Sequence, residues 1–311
     1  MKKHIIITIA AAVFAAGSMN AQDLAQATDL YNTGATYLSN GNLESALESF
    51  QQAYDMSIAL GEEGAEVAEN CKNIIPETSL NIAKSLGQDK KYDEAVARLG
   101  TTVELAGEYG NQSVADEAKA LIPQLLMLKG TDLLNSKDFA GAAAAYKQIL
   151  DTDPANGVAA LRLGMALASS GDTDGAVQAF TTAAANGQQA SADKQLGNIY
   201  LKDALAKLKA KDYAGALEAA SKSTEYSESS TAYQIAGQAA QLSGNNTDAV
   251  KYFEKYLELA PNAKNAGSIA YTVGALYQTA GNVDKAKEFY TKALSDPTYG
   301  PEAQKLLNAL K

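Results

Sequence analysis

The sequence predicts an all-α chain in which pairs of antiparallel helices stack in a row as an α-solenoid. The stretch from Leu126 to Pro154 shows why, because apolar residues recur at helical spacing on both sides of a short polar turn, Asn135–Asp138. Two helices joined so tightly touch along their length, so the closest points need small residues. Gly130 and Ala142 occupy those places. The same pattern then recurs along nearly the whole chain.

The recurring pattern resembles the tetratricopeptide repeat (TPR), a unit of about 34 residues. Clear copies begin near residues 27, 126, 163, 233 and 273, and eroded copies begin near residues 80 and 191. The resemblance implies a right-handed superhelix of about seven TPR helix pairs. In the clear copies the small residue of the first helix is Gly34, Gly130, Gly164, Gly237 and Gly274, and the aromatic residue of the second is Phe50, Tyr146, Phe180, Phe253 and Tyr290.

The C-terminus, Pro301–Lys311, is predicted to be a capping helix. Proline stands at its first turn with an acidic residue beside it, as at many helix N-termini. Leu306, Leu307 and Leu310 give this helix one apolar side. That side would cover the exposed end of the last repeat, which a solenoid requires.

The early repeats are predicted to be longer than the late ones. Val67-Ala68-Glu69 recurs as Val114-Ala115-Asp116, 47 residues further on, and Ile74-Ile75-Pro76 recurs at the same offset as Leu121-Ile122-Pro123. The extra length is most simply placed in helices broken at Gly61 or Gly110 and bent at a proline. The predicted organisation is therefore a signal peptide (1–21), N-terminal repeats with extended spacing (22–154), C-terminal repeats (155–300) and the cap (301–311). The serine-rich piece Ser221–Thr231 is interpreted as a connector between repeats.

Residues 1–22 have the layout of a secretory signal peptide: Lys2 and Lys3, an apolar run over 5–16, and small residues around Ala21. The run is shorter than the roughly 20 residues of a membrane-spanning helix. We therefore expect cleavage after Ala21, in preference to a retained anchor, with no membrane span left. The predicted location is periplasmic or secreted, and the Ala21-Gln22 ending resembles exported proteins of the Bacteroidota envelope.

The charge of the chain argues against nucleic acid as a partner. The formal net charge is −10, and signal cleavage would remove two basic side chains and no acidic one, leaving a net charge near −12. Binding a phosphate backbone requires clustered Lys and Arg. Only Arg98 and Arg162 are arginines. An acidic surface of this kind keeps a protein soluble.

The sequence offers no catalytic, metal or cofactor site. The only histidine, His4, lies in the predicted signal peptide, so the mature chain lacks a base that titrates near neutrality and a zinc-binding imidazole. No phosphate-binding glycine loop is present. Cys71 is the single cysteine and forms no internal disulfide. The acids at Glu62-Glu63 and Asp151–Asp153 are interpreted as polar helix ends and a turn, so the chain is predicted not to be an enzyme.

The resemblance also implies where a protein or peptide partner would bind. In TPR proteins the first helix of each pair lines a concave groove, and the ligand-facing places follow the large and the small residues of the pattern. Carried over to this sequence, those places give an apolar floor with adaptable methionines, suited to an amphipathic helix or an extended peptide. The side chains at these places are mostly neutral, whereas the carboxylate clamp of chaperone-binding TPR proteins needs several Lys or Arg side chains there. The candidate groove residues are Met127, Thr131, Leu134, Leu161, Met165, Leu201, Leu205, Gln234 and Gln238.

Two functions stay open at this point. The first is a non-enzymatic scaffold that binds a protein or peptide in its groove. Against it stands the possibility that the superhelix, or its own segment Asp23–Leu30, covers the apolar floor. The second is a structural component of an envelope or secretion assembly that forms homo-oligomers through C-terminal tyrosines. Those tyrosines are Tyr233, Tyr252, Tyr256, Tyr271, Tyr277, Tyr290 and Tyr299.

Overall fold

The computed structural model describes residues 21–310, which form fifteen α-helices and contain no β-strand. The predicted signal peptide lies outside the described residues apart from Ala21, the first residue of α1. The helices are α1 Ala21–Ser39, α2 Leu43–Ala59, α3 Ala65–Gln88, α4 Tyr92–Glu108, α5 Gln112–Asn135, α6 Phe139–Thr152, α7 Gly157–Ser170, α8 Thr173–Ala183, α9 Gln189–Lys209, α10 Tyr213–Tyr226, α11 Ser230–Leu242, α12 Asn246–Leu259, α13 Ala266–Thr279, α14 Val283–Ala293 and α15 Gly300–Ala309. Seven consecutive helix–turn–helix units followed by α15 confirm the predicted all-α class and the predicted number of helix pairs.

The helices form two compact bodies, which we call the N-terminal body (residues up to Thr131) and the C-terminal body (from Asp132 onward). The division falls inside α5. The N-terminal body buries Phe50, Ile75 and Leu99. The C-terminal body buries aromatic residues of its second helices, such as Phe180 and Tyr290.

The small residue of the repeat lies against the aromatic ring of the same helix pair. A Cβ atom added at Gly34, Gly164, Gly237 or Gly274 would stand 2.7, 2.6, 2.5 or 2.7 Å from the nearest ring carbon. Those rings belong to Phe50, Phe180, Phe253 and Tyr290, each 16 residues further along the chain. Such distances are far inside van der Waals contact, so glycine is what lets the two helices of a pair approach.

Every first helix turns into its second helix through one residue in the left-handed region. Glycine fills this place in four turns, as the conformation favours. The other three turns use lysine at φ of +60° to +65°, although a Cβ atom is disfavoured there. The seven residues are Gly41, Lys90, Lys137, Gly171, Lys211, Gly244 and Gly281.

Three of the second helices begin with an Asp-x-x-Gly cap. The Asp138, Asp172 and Asp212 carboxylates accept hydrogen bonds from backbone N–H groups three residues later, at 2.9, 2.9 and 3.0 Å. Each bond satisfies a helix N-terminal N–H that has no partner within the helix. A Cβ atom added at Gly141, Gly175 or Gly215 would stand 2.5, 2.5 or 2.2 Å from the capping carboxylate oxygen, so these caps as they stand leave no room for a side chain at the third place.

The longer early repeats have longer first helices. Helices α3 and α5 each contain 24 residues, and both of their ends are 47 residues apart. By contrast, α7 and α13 contain 14 residues each. Pro76 and Pro123 lie inside α3 and α5, and each helix continues through its proline. Gly61 and Gly110 lie outside the α-helices, at φ of +62° and +74°, and Gly61 begins a short 3-10 helix, Gly61–Gly64.

Two connections differ from simple turns. Between α8 and α9 the helical path is broken at Asn186 and Gly187, and Gly187 has φ +84°.

The interpretation of Ser221–Thr231 as a connector is wrong for most of its length, because α10 runs to Tyr226. The reason is that Ser223 is buried and donates a hydrogen bond of 2.8 Å to the Gly197 carbonyl of α9, so this serine packs instead of facing solvent.

The last helix, α15, covers the end of the final pair. Its Ala303 is buried, and Leu306, Leu307 and Leu310 pack against a cluster that contains Val273 of α13 and residues of α14. Proline stands in its first turn and Glu302 is the acidic residue there. The capping helix predicted for residues 301–311 is observed as Gly300–Ala309.

Candidate partner-binding face

The first two groove residues predicted from the sequence lie in the N-terminal body. Met127 and Thr131 stand one turn apart on α5, and both are half-buried. The Thr131 hydroxyl donates a hydrogen bond of 2.9 Å to the Met127 carbonyl. The remaining seven residues belong to the C-terminal body, where Leu134 is half-buried at the end of α5.

The apolar residues of α7 help to hold the C-terminal body together. Leu161 and Met165 are half-buried and pack on the cluster that contains Phe180 of α8 and Leu196 of α9. An apolar side chain at these places therefore contributes to packing between helices as well as to the exposed surface. A charged substitution at either place would disturb this core.

The groove residues of α9 and α11 are more accessible. Leu201 is half-buried against a cluster that includes Ala204 and Ile235, whereas Leu205 is 44% exposed. On α11, Gln234 is half-buried and Gln238 is exposed. We call the exposed sides of α7, α9, α11 and α13 the first-helix face. Leu205 is its most accessible apolar residue among the predicted ones.

Helix α9 also carries a row of exposed residues on either side of the predicted Leu205. Lys194, Asn198, Lys202, Leu205 and Lys209 are all exposed. Their spacing of three or four residues places them on one side of the helix. Within residues 21–310, none of these three lysines forms an ion pair, while Lys207 on another side of α9 is paired with Asp203 at 2.9 Å. We call Lys194, Lys202 and Lys209 the lysine row.

Charge is distributed unevenly between the two kinds of helix in the C-terminal body. Helices α11 and α13 contain no charged residue at all. Helices α7 and α9 together contain five basic and two acidic residues. The second helices α6, α8, α10, α12 and α14 contain seven basic and nine acidic residues. The first helices of this body are therefore basic in a chain whose net charge is −10.

A cleft of about 870 Å³ lies elsewhere in the C-terminal body, among α12, α13, α14 and the loops beside them. Its charged lining includes Glu288, which pairs with Lys285 at 2.9 Å and with Lys292 at 2.8 Å. Hydrogen bonds from Lys292 and Lys285 lower the pKa of Glu288. The cleft contains none of the predicted groove residues.

Residues 21–310 contain one free cysteine, Cys71, and it is buried. No group of three or more His, Cys, Asp or Glu residues within 21–310 is placed to hold a metal ion. Burial raises the pKa of the Cys71 thiol to about 11, so it is protonated at neutral pH. None of the helices between residues 21 and 310 combines the length and the apolar character needed to cross a membrane.

Most of the C-terminal tyrosines considered for self-association are engaged within the chain. Tyr256 and Tyr290 are buried, and the Tyr277 hydroxyl donates a hydrogen bond of 2.9 Å to Glu254. Tyr271 stacks on Tyr299 with ring centroids 5.0 Å apart. Segment 23–30, considered as a cover for the groove, forms the early turns of α1, which packs on α2.

Family comparisons match the repeats that are clearest in the sequence. Models of the tetratricopeptide repeat match residues 127–191, 30–57, 230–263 and 268–295. The unmatched pairs, α3–α4 and most of α9–α10, correspond to the eroded copies. These matches support the tetratricopeptide-repeat family for the chain. A comparison with curated proteins finds no match.

Several solved structures are similar to part of the chain. A crystal structure of MamA is 21% identical, with 59% of this chain and 96% of MamA covered and a TM-score of 0.37. MamA from Desulfovibrio magneticus RS-1 is 19% identical, with 56% and 94% covered and a TM-score of 0.34. YrrB, described as a TPR protein with an unusual peptide-binding site, is 18% identical, with 59% and 91% covered and a TM-score of 0.33.

Proposed function

We propose that this chain is a non-enzymatic TPR scaffold of the cell envelope that binds a protein or peptide partner on its first-helix face. One observation carries the proposal. In the C-terminal body this face combines accessible apolar surface at Leu205 with exposed, unpaired polar groups at Gln238 and along the lysine row. Apolar contacts with adjacent polar groups are the usual composition of a peptide-binding surface.

The scaffold function fits the chemistry of the chain better than catalysis does. A catalytic base or nucleophile needs a pKa suited to its task and access to substrate. The one thiol, Cys71, is fully buried and its pKa is raised by burial. The only histidine, His4, lies in the proposed signal peptide. The proposed location, periplasmic or secreted, rests on the signal-peptide pattern of residues 1–21.

Two neutral substitutions test the binding face without adding or removing a charge. The variant Leu205→Asn/Gln238→Ala removes apolar and polar contact area at two exposed places on adjacent first helices. The matched control, Val283→Asn/Gln178→Ala, makes the same changes on second helices, where Val283 is 41% exposed and Gln178 is also exposed. Exposed places are chosen because Leu161 and Met165 also support the core.

The measurement is capture of partners from envelope extract, followed by calorimetric titration of each identified partner with purified protein. We expect the binding-face variant to bind the partner about tenfold more weakly, as loss of one or two interface contacts produces. The control should bind within about twofold of the wild type. Equal binding by all three proteins would show that partners use another surface.

Export is tested separately by sequencing the N-terminus of the protein recovered from the expressing cell. Cleavage after Ala21 would leave Gln22 as the first residue. A protein that retains Met1 in the cytoplasm would contradict the proposed location and leave the binding face untouched. Recovery of the processed chain from the periplasm or the medium would distinguish the two proposed locations.

A further inference from the structure

We propose that the partner segment bound on the first-helix face is acidic and amphipathic, with carboxylates that meet the lysine row and apolar side chains that meet Leu201 and Leu205. This inference rests on the proposed function and specifies the partner of that same surface. It commits to an acidic segment of a protein. Nucleic acid and anionic lipid are alternatives that the experiment below separates.

The spacing of the lysine row suits one continuous segment. Successive residues of an α-helix are rotated by 100°, which places Lys194, Lys202 and Lys209 within a sector of about 80°. With a rise of 1.5 Å per residue, neighbouring ammonium groups are about 10–12 Å apart along the axis of α9. Carboxylates seven or eight residues apart on a partner helix, or about three to four apart on an extended segment, match this interval.

The lysines are available for a partner because the chain does not neutralise them. Lys194, Lys202 and Lys209 are exposed and lack ion pairs within residues 21–310, whereas Lys207, Lys222 and Lys255 of the same body are paired with acids. Neighbouring helix α11 contributes no charge, and α7 contributes only Arg162. The charged side chains of α7 and α9 are therefore mostly basic, five against the two acids Asp193 and Asp203, although the protein as a whole is acidic. Complementary charge steers association and selects among partners.

The apolar residues within the same sector favour a protein segment over a polyanion. Leu205 lies between Lys202 and Lys209 and is 44% exposed, and Leu201 lies one turn before it. A phosphate backbone would leave these side chains unpartnered. A segment with alternating acidic and apolar side chains satisfies both kinds of group.

The test uses the full mature chain and short fluorescein-labelled peptides. The acidic probe contains Leu and Ser with one Glu in every four residues, and a second peptide carries Lys in place of each Glu. Fluorescence anisotropy measures Kd at ionic strengths of about 0.01 M and 0.15 M. The row variant is Lys194→Glu/Lys202→Glu/Lys209→Glu. Its control, Lys147→Glu/Lys251→Glu/Lys264→Glu, makes the same change of charge at exposed lysines outside the first helices.

We expect the wild type to bind the acidic peptide at least about tenfold more tightly than the basic one, and more tightly at low salt. The row variant should lose this preference, and the control should keep it. The three lysines are exposed and unpaired, so circular dichroism and the melting temperature of the row variant should match those of the control. Equal binding of the two peptides, no binding of either, or full retention of binding by the row variant would overturn the inference.

Two further arms separate the alternatives. Vesicles containing phosphatidylglycerol and a single-stranded oligonucleotide are titrated in the same way. Binding of either one through the lysine row, without binding of the acidic peptide, would also overturn the inference. If captured partners require Leu205 and Gln238 but bind the row variant normally, the proposed function stands and the acidic partner is wrong. If they bind the Leu205→Asn/Gln238→Ala variant normally, the proposed function itself fails.

Discussion

Gly164 lies directly against the ring of Phe180, and a methyl group on its Cα atom would stand 2.6 Å from ring carbons Cδ1 and Cε1. The ring is fully buried, so it has little room to move away. Helices α7 and α8 are therefore in contact at this point because glycine contributes no side chain. The close approach of the two helices of a pair therefore requires the glycine of the repeat pattern.

Replacing Gly164 by alanine should lower the free energy of unfolding by about 1–2 kcal/mol. Overpacking a dense core costs about 1–3 kcal/mol, and the better helix propensity of alanine returns up to about 1 kcal/mol. Gly100→Ala is the matched control, because Gly100 lies inside α4 with no atom within 4 Å of an added Cβ. That control should be neutral or stabilising. Urea denaturation followed by circular dichroism compares the two, and equal effects would contradict the contact.

The Ser79 and Thr102 hydroxyls link α3 to α4 inside the core, with their oxygens 2.8 Å apart. Thr102 donates its only hydroxyl proton to the Arg98 carbonyl, at 2.8 Å, so Ser79 is the donor between the two side chains. Thr102→Val should cost about 1–3 kcal/mol, because it leaves a buried Ser79 hydroxyl without an acceptor. In a double-mutant cycle measured by urea denaturation, Ser79→Ala/Thr102→Val should cost less than the sum of the single variants. Additive losses would mean that the two hydroxyls do not interact.

Stability should decline in alkaline solution partly because of Cys71. Burial raises the pKa of this thiol from about 9 to about 11, so the folded protein keeps it protonated where the unfolded chain ionises. The stabilisation is complete below about pH 9 and is lost as the pH rises toward about 11. Tyr109, whose pKa burial raises to about 12, acts in the same direction at higher pH. Cys71→Ala should therefore show a shallower decline in the free energy of unfolding between pH 9 and 11, measured by urea denaturation; an unchanged slope would contradict it.

The lysines that adopt the left-handed backbone conformation in three turns are strained, and glycine at these places would relieve the strain. Lys211→Gly should raise the free energy of unfolding by about 0.5–1 kcal/mol, because the left-handed conformation costs a residue with a Cβ about 1–2 kcal/mol and the flexibility of unfolded glycine offsets part of this gain. The reverse change, Gly281→Lys, should destabilise. The space beside Gly281 is open, so the loss of stability in Gly281→Lys would come from the backbone conformation alone. Thermal melting distinguishes the two, and a lower melting temperature for Lys211→Gly would contradict the argument.

The capping helix should be needed for the stability of the last pair. Leu306→Asp places a charge against the cluster that contains Val273 and Tyr290, and desolvation of that charge opposes docking of α15. We expect faster amide exchange in α13 and α14 and a loss of about 1–3 kcal/mol. Lys305→Asp is the control, because Lys305 is exposed on the other side of α15. Unchanged exchange in α13 would show that the pair does not depend on its cap.

The fold could be predicted because its determinants are local. A glycine and an aromatic residue 16 positions apart specify where two helices touch, and the polar turn between them is short. The break at Asn186–Gly187 has a weaker signal, since a single glycine is compatible with a helix interior. The extent of α10 was not predicted, because Ser223 is held in the helix by a hydrogen bond that it donates to the Gly197 carbonyl of a different helix. Local composition does not contain that information.

The candidate face could be predicted only in part. Family positions lead to Leu205 and Gln238, which are indeed exposed, but they select a few places per helix and pass over Lys194 and Lys202. The spacing of those lysines was available in the sequence. The structure was needed to show that these lysines form no ion pair within the described residues. Whether an apolar residue such as Met165 faces a partner or a neighbouring helix is likewise decided by packing between repeats.

Pro76 lies within α3 and has no amide hydrogen to offer the Lys72 carbonyl one turn earlier. The helix is continuous in shape, yet its hydrogen-bond ladder is interrupted at this point. The first part of α3, from Ala65, can therefore exchange its amide protons in openings that leave the part from Glu77 to Gln88 closed. We therefore expect two segments of α3 with different rates of amide exchange, and the same division of α5 at Pro123.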